Sequence, residues 1–211
     1  MQRLRLLARR LGADRGGVAM IEFALAAPLF LTIVLAGLEL TNLALAHLRV
    51  SQVAMTVADN AGRVTVGIDE AHIHEVFAGA RVVASNLDFE DNGRVILSSL
   101  EDNGETGGNR GQMIRWQRCW GALDARPAYG NEGEGRGNGR LRQGMGRANN
   151  RIAASPGTAV MFVEANYRYQ PILNFWFNSE RTIRYETAFN VRSRQNQVIS
   201  NTQDLDAMEC D

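Results

Sequence analysis

An apolar run from Val18 to Leu38 constrains this chain more than any other feature of its sequence. The run contains 21 residues, and its only charged residue is Glu22. As a helix it would be about 31 Å long, because each residue adds about 1.5 Å, and the hydrocarbon core of a bilayer has about this thickness. The run therefore predicts one transmembrane helix over residues 18–38.

The charges that precede the run indicate its orientation. Residues 1–17 carry five arginines and one aspartate, a net charge of +4, and no comparable basic cluster follows closely. Because basic flanks stay in the cytoplasm, we expect a single-pass protein of the inner membrane with a cytoplasmic N-terminus and a periplasmic C-terminal domain. The formal net charge of the whole chain is zero, so no nucleic-acid partner is expected.

The helical pattern continues beyond the run in an amphipathic form. Apolar residues recur there at alternating steps of three and four, the spacing of one helix face. This stripe consists of Leu40, Leu43, His47, Val50, Ala54, Val57, Ala61 and Val64. The pattern predicts an amphipathic continuation of the helix over residues 39–66, with Gly67 as its stop. His47, which lies on the stripe, is interpreted as a core histidine.

Residues 67–211 are predicted to form an extracytoplasmic α+β domain. A second helix is expected over residues 69–85, and strands are expected over 94–100, 112–120, 159–169 and 182–192. The last two strands alternate apolar and polar residues, as in an antiparallel sheet with one buried and one wet face. We expect the amphipathic helix to cover the buried face. Residues 122–157, rich in glycine and arginine, are predicted to be a mobile loop.

The start of the apolar run carries a recognisable motif. Gly17 is followed by four variable residues that begin with Val18, then by Glu22 and the aromatic Phe23. After a basic leader at residues 1–17, this arrangement resembles the processing motif of type IV prepilins. The form Gly-x-x-x-x-Glu-Phe, with VAMIEFALAAPLFLTIVLAGLEL from Val18 onward, is similar to TadE-like pseudopilins of the tight-adherence (Tad/Flp) pilus system. The resemblance covers residues 15–62 and continues more loosely through residues 116–121 and 160–171.

The resemblance implies a pilin-like architecture and a structural function. It implies cleavage between Gly17 and Val18 by a prepilin peptidase, after which Glu22 of one subunit pairs with the freed Val18 amine of its neighbour. The other implied partners are further pilins or pseudopilins and the pilus assembly platform. The role of a minor pilin or pseudopilin is favoured, because the major pilins of that system are very short and this chain has a large C-terminal domain. The sequence does not distinguish a TadE protein from its paralogue TadF. It also leaves open whether the protein enters the pilus fibre or stays in the cell envelope.

Two other functions are compatible with the sequence. In the first, the chain is an unprocessed, signal-anchored periplasmic binding domain, and Glu22 is an incidental charge near the cytoplasmic interface. In the second, the run is a signal peptide of a secreted enzyme, cleaved near Ala24-Leu25-Ala26. That site falls early in the apolar run, and the chain shows no catalytic constellation. We therefore expect neither an enzyme nor a bound cofactor.

Several further residues have a specific interpretation. Pro28 lies inside the span, where it removes a backbone donor and should kink the helix; it is either a tolerated proline or an assembly residue beside Glu22. His72 and His74 would point about 200° apart on a helix, so no metal site is expected. Cys119 and Cys210 both follow the span and can form a disulfide outside the cytoplasm.

The segment 171–178, PILNFWFN, is unusually apolar for a connection between strands. It is either folded beneath the sheet or exposed as a docking or membrane-surface patch. Its apolar members are Ile172, Leu173, Phe175, Trp176 and Phe177.

Overall fold

The computed structural model describes residues 16–173, 181–194 and 196–210, together with Gly12. The chain forms two compact units. The helical unit comprises Met1–Ala44 and Pro171–Asn178, and the sheet unit comprises Leu45–Gln170 and Ser179–Asp211. Of the predicted leader, residues 1–17, all except Gly12, Gly16 and Gly17 lie outside the described residues.

One long helix, α1, runs from Gly16 to Arg63 and continues through Pro28 without interruption. It joins the predicted span and the predicted amphipathic continuation, and it ends at Arg63 rather than at residue 66. In the helical unit, the large apolar side chains of α1 are exposed on all sides of the helix. This distribution is that of a helix without a core of its own to face.

In the sheet unit, the last part of α1 buries one face. The buried side chains are small and recur at steps of three and four, and they comprise Ala46, Val50, Val53, Ala54, Val57, Ala58 and Ala61. Small side chains allow a helix to lie close to a sheet. At Gly62 a Cβ atom would come within 3.3 Å of the carbonyl oxygen of Asn190. His47 is exposed rather than buried in the core, and its Nδ1 lies 3.3 Å from the hydroxyl of Tyr185.

Two further helices and four strands follow α1. They are α2 (Glu70–Val83), α3 (Phe89–Asn92), β1 (Gly93–Asp102), β2 (Gln112–Trp120), β3 (Ala159–Arg168) and β4 (Thr182–Asn190), with a 3₁₀ turn at Gly107–Asn109 between β1 and β2. The strands form one antiparallel sheet in the order β2-β1-β3-β4. The predicted α+β class, with a long N-terminal helix packed on an antiparallel sheet, is confirmed.

Both faces of the sheet are covered, whereas the sequence predicted one wet face. Met161 and Val163 of β3 are fully buried, as expected, but so are Glu164 and Asn166, which alternate with apolar residues along the strand. The prediction of a wet face was therefore wrong for β3. It holds better for β4, where Arg184 and Asn190 are exposed.

The second cover is the Gly/Arg-rich loop, residues 122–157. Leu141, Met145 and Ala154 of this loop are buried against the sheet, in a cluster that also contains Leu100, Ile114, Val160 and Phe162. The loop also pairs with β2, since the N–H of Gln112 donates to the carbonyl of Leu141 at 3.1 Å. The prediction of a mobile loop missed this packing, because glycine and arginine content signals flexibility but not a folded irregular layer.

The glycines of this loop have a structural purpose. Gly135 has a φ of 81°, a conformation that L side chains rarely adopt. A Cβ atom at Gly135 would overlap the carbonyl oxygen of Gln112. Glycine therefore lets the loop backbone lie directly against the outer side of β2, where the N–H of Ile114 donates to the carbonyl of Glu134 at 2.9 Å.

Candidate processing and assembly segment

The motif residues lie together in the first turns of α1. Val18 is 57% exposed and Phe23 is 73% exposed, and Glu22 is exposed between them. A Cβ atom added at Gly17 would meet no atom within 4 Å. The described part of the chain therefore leaves this segment open on its surface, and the fold itself does not require glycine at position 17.

The span that follows is a surface of large exposed apolar side chains. An apolar surface of this length needs a lipid or protein environment to cover it. Its exposed members include Met20, Ile21, Leu25, Leu29, Phe30, Leu31, Ile33 and Leu38. Within the described residues, α1 is the one helix that is long and apolar enough to cross a bilayer. The helix is thus compatible with a single-pass membrane anchor.

Pro28 is accommodated inside the helix. The hydroxyl of Thr32 donates to the carbonyl oxygen of Pro28 at 2.8 Å, and the hydroxyl of Thr41 donates to that of Gly37 at 2.9 Å. Threonine hydroxyls that bond to the preceding turn satisfy their own polarity without leaving the helix, which suits an apolar environment. The helix is continuous at Pro28, and the assembly role of Pro28 stays a prediction.

Glu39 is a residue of this unit that sequence reasoning missed. Although it directly follows the apolar run, it is only 3% exposed. Its Oε2 accepts hydrogen bonds from the backbone N–H of Ile172 at 3.0 Å and of Leu173 at 3.2 Å. The only sequence signal was a carboxylate next to the end of the span, and nothing in the pattern named its partner 133 residues away. Residues 174–178, including Phe175, Trp176 and Phe177, lie outside the described residues.

In the sheet unit, Cys119 of β2 and Cys210 form a disulfide, with 5.0 Å between their Cα atoms. The N–H of Cys119 also donates to the carbonyl of Met208 at 2.7 Å. Each of the two histidines of α2 has a polar contact within the sheet unit. His72 accepts the N–H of Asp69 in a capping box, and Nε2 of His74 lies 2.9 Å from the carbonyl oxygen of Asp206.

A buried ion pair joins α2 to β2. The Nε of Arg118 donates to Glu70 at 2.9 Å, and both side chains are largely buried, with exposed fractions of 7% and 3%. The Nη1 of Arg118 also contacts the half-exposed carboxylate of Glu132 at 3.1 Å. Glu132 belongs to the Gly/Arg-rich loop, so one guanidinium links a helix, a strand and the loop.

Two glutamates face each other across β3 and β4 beneath the Gly/Arg-rich loop. Glu164 is fully buried and is paired in register with Glu186. Both carboxylate oxygens of Glu164 accept the N–H of Ala128, at 3.3 and 3.1 Å, and the hydroxyl of Tyr129 donates to Glu186 at 3.0 Å. Burial raises the pKa of Glu164 to about 7; the N–H of Ala128 opposes this rise, and the charge of Glu186 adds to it.

The structure thus defines a class: a protein with one exposed apolar helix at its N-terminal end and an α+β domain in which a helix packs on an antiparallel sheet. The family comparison refines that class. Residues 17–59 match the family model described as TadE-like protein, which confirms the predicted resemblance to TadE-like proteins of the tight-adherence pilus system. The match contains the motif, the span and most of the rest of α1. Neither the curated proteins nor the solved structures give a match.

Proposed function

We propose that this protein is a minor pilin or pseudopilin that takes part in assembling a tight-adherence pilus and is processed by a prepilin peptidase. One observation carries the proposal. Within the segment that matches the TadE-like family, Glu22 lies on an exposed apolar helix. It is the fifth residue when Val18 is counted as the first. We propose that the protein is held in the inner membrane with residues 1–17 in the cytoplasm and the sheet unit in the periplasm.

The proposed role of Glu22 follows from electrostatics. Cleavage after Gly17 would leave a charged amine on Val18, next to an apolar surface where an unpaired charge is unfavourable. A carboxylate from a neighbouring subunit, placed by the stagger between two helices, would neutralise that amine. The partners are then the prepilin peptidase, other pilins or pseudopilins, and the assembly platform, and the role is structural rather than catalytic.

The processing step is tested by the mass and N-terminal sequence of protein extracted from membranes. The mature chain should begin at Val18. Gly17→Phe should block cleavage, and since the position is open in the fold, the block would reflect recognition by the peptidase. Gly37→Phe is a matched control, because a Cβ atom at Gly37 also meets nothing within 4 Å. A mature chain that still begins at Met1 in cells with active peptidase would favour the unprocessed, signal-anchored binding domain.

The assembly step is tested by Glu22→Ala. We expect the variant to be inserted and cleaved but to support no pilus, because the Val18 amine of a neighbour loses its carboxylate, at a cost of several kcal/mol. Glu105→Ala, which removes an exposed carboxylate from the β1–β2 connection, should leave piliation unchanged. If Glu22→Ala cells carry pili and adhere like the wild type, Glu22 has no role in assembly. An anchored binding domain would keep both its abundance and its partner binding.

A further inference from the structure

The end of the apolar run is marked by a buried carboxylate. Val18–Leu38 would occupy about 31 Å of a bilayer as a helix, which places Glu39 at the outer boundary of the hydrocarbon. Thr41 and Asn42 follow as the first uncharged polar residues. A carboxylate at such a boundary would ordinarily point into water, yet Glu39 is 3% exposed.

The burial of Glu39 is compatible with its charge because of the backbone that it binds. Two N–H groups, those of Ile172 and Leu173, donate to the same carboxylate oxygen at 3.0 and 3.2 Å. Hydrogen bonds to an ionised group are about twice as strong as neutral ones, and they offset the cost of removing a carboxylate from water. The bonds fix the start of the β3–β4 connection beside α1, at the level where the span ends.

The side chains at this level remain apolar and exposed. Ile172 is 65% exposed, and Leu40, one residue beyond Glu39, is 68% exposed. Both are therefore exposed apolar side chains, Leu40 adjoining Glu39 and Ile172 being one of its backbone partners. In the interfacial zone of a bilayer, apolar side chains reach the acyl chains while backbone and polar groups meet the headgroups. The chemistry at this level therefore suits a lipid surface.

We propose that Glu39 holds the Ile172–Leu173 backbone at the outer face of the membrane, so that this junction contacts the lipid headgroup region. The proposal rests on the membrane anchoring proposed above. In the membrane-resident protein, Glu39 is a positioning residue. It adds a second, non-helical contact with the bilayer, which restrains α1 against sliding along the membrane normal and against rotation about its own axis.

The test uses the full chain in vesicles of phosphatidylethanolamine and phosphatidylglycerol. Single cysteines introduced as I172C, L29C and V82C carry an environment-sensitive fluorophore, while Cys119 and Cys210 stay in their disulfide. Nitroxide lipids labelled at the headgroup or near the chain end serve as quenchers. We expect headgroup quenching at position 172, chain-end quenching at position 29 and neither at position 82, which is exposed on α2 of the sheet unit. In an E39A background, quenching at position 172 should fall to the level at position 82. T41A is the control, because it removes the exposed hydroxyl of Thr41 two residues away; it should leave the quenching at position 172 unchanged.

Each result decides a different statement. If position 29 is quenched and position 172 is not, membrane anchoring stands and the interfacial contact is overturned. A blue-shifted but unquenched fluorophore at position 172 would indicate a protein contact and would also overturn it. Equal quenching at positions 172 and 82 would show that the membrane contact is not specific to position 172, and this would overturn the proposal. If quenching at position 172 survives E39A, Glu39 does not hold the junction. An unquenched position 29 would contradict the anchoring itself.

Discussion

Glu164→Gln should abolish a specific part of the pH dependence of stability. The folded protein raises the pKa of Glu164 from its ordinary 4.5 to about 7, chiefly by burial. A raised carboxyl pKa means that folding favours the protonated form. The resulting destabilisation is absent well below pH 4.5, grows as the pH rises through the interval from 4.5 to 7, and is complete above it. The sheet unit should therefore lose stability as the pH rises from 5 to 8.

The size of the effect follows from the pKa difference. A shift from 4.5 to about 7 corresponds to about 3 kcal/mol, at about 1.4 kcal/mol per pKa unit. Glutamine has nearly the shape of a protonated glutamate. Its side-chain oxygen can accept the N–H of Ala128, so the hydrogen bond that holds Glu164 is retained. The variant should exceed the wild type in stability by less than about 1 kcal/mol at pH 5 and by about 3 kcal/mol at pH 8.

The assay is urea unfolding of the full chain in detergent, followed by tryptophan fluorescence, since Trp116 and Trp120 lie in β2. The quantity compared is the change in unfolding free energy between pH 5 and pH 8, in the wild type and in the variant. Taking the difference removes contributions from other titrating groups. Glu105→Gln, the same change at an exposed glutamate, is the control. If wild type and Glu164→Gln agree to within about 0.5 kcal/mol, the reasoning from burial is refuted.

Two further predictions concern covalent and ionic links in the sheet unit. Cys210→Ser should reduce the unfolding free energy by up to about 4–5 kcal/mol, which is the loop-closure value for two residues 91 apart. Urea unfolding without reductant measures this loss. Full thiol labelling of non-reduced wild-type protein would contradict the presence of the disulfide. Glu70→Gln should leave the buried Arg118 guanidinium with only the half-exposed carboxylate of Glu132, at a cost of about 3–5 kcal/mol in the same assay. Glu90→Gln removes the exposed partner of Arg81 and should cost less than about 1 kcal/mol.

The elements with strong periodicity were predictable from the sequence. The apolar run and the three-four spacing beyond it gave one continuous helix, which the structure contains as α1. The strand predicted over residues 112–120 has the observed limits of β2. The alternation of apolar and polar residues placed β3 and β4 within two residues of their observed limits. These patterns are local, because a helix or strand that buries one face repeats its apolar residues at the period of its own backbone.

The long-range polar contacts were not predictable in this way. Glu164 and Asn166 look like wet-face residues in the sequence, because alternation records polarity and not what lies above the sheet. Their cover is an irregular loop with no period of its own. Likewise, no sequence pattern around Glu39 indicates that it binds the backbone of Ile172 and Leu173. Such contacts depend on which distant segments meet, and neither polarity nor spacing encodes that in a single sequence.

The disulfide between Cys119 and Cys210 also determines how β2 meets its surroundings. In the sheet order β2 is a terminal strand, yet its outer N–H groups donate to Leu141, Glu134 and, at Cys119, Met208. An unpaired terminal strand is a template on which another chain can add its own strand. The disulfide holds residues 208–210 against the outer edge of β2, so this part of the edge is not available for pairing with another strand. Reduction would therefore free residues 208–210 and open this part of the outer edge of β2 to pairing with a strand of another chain.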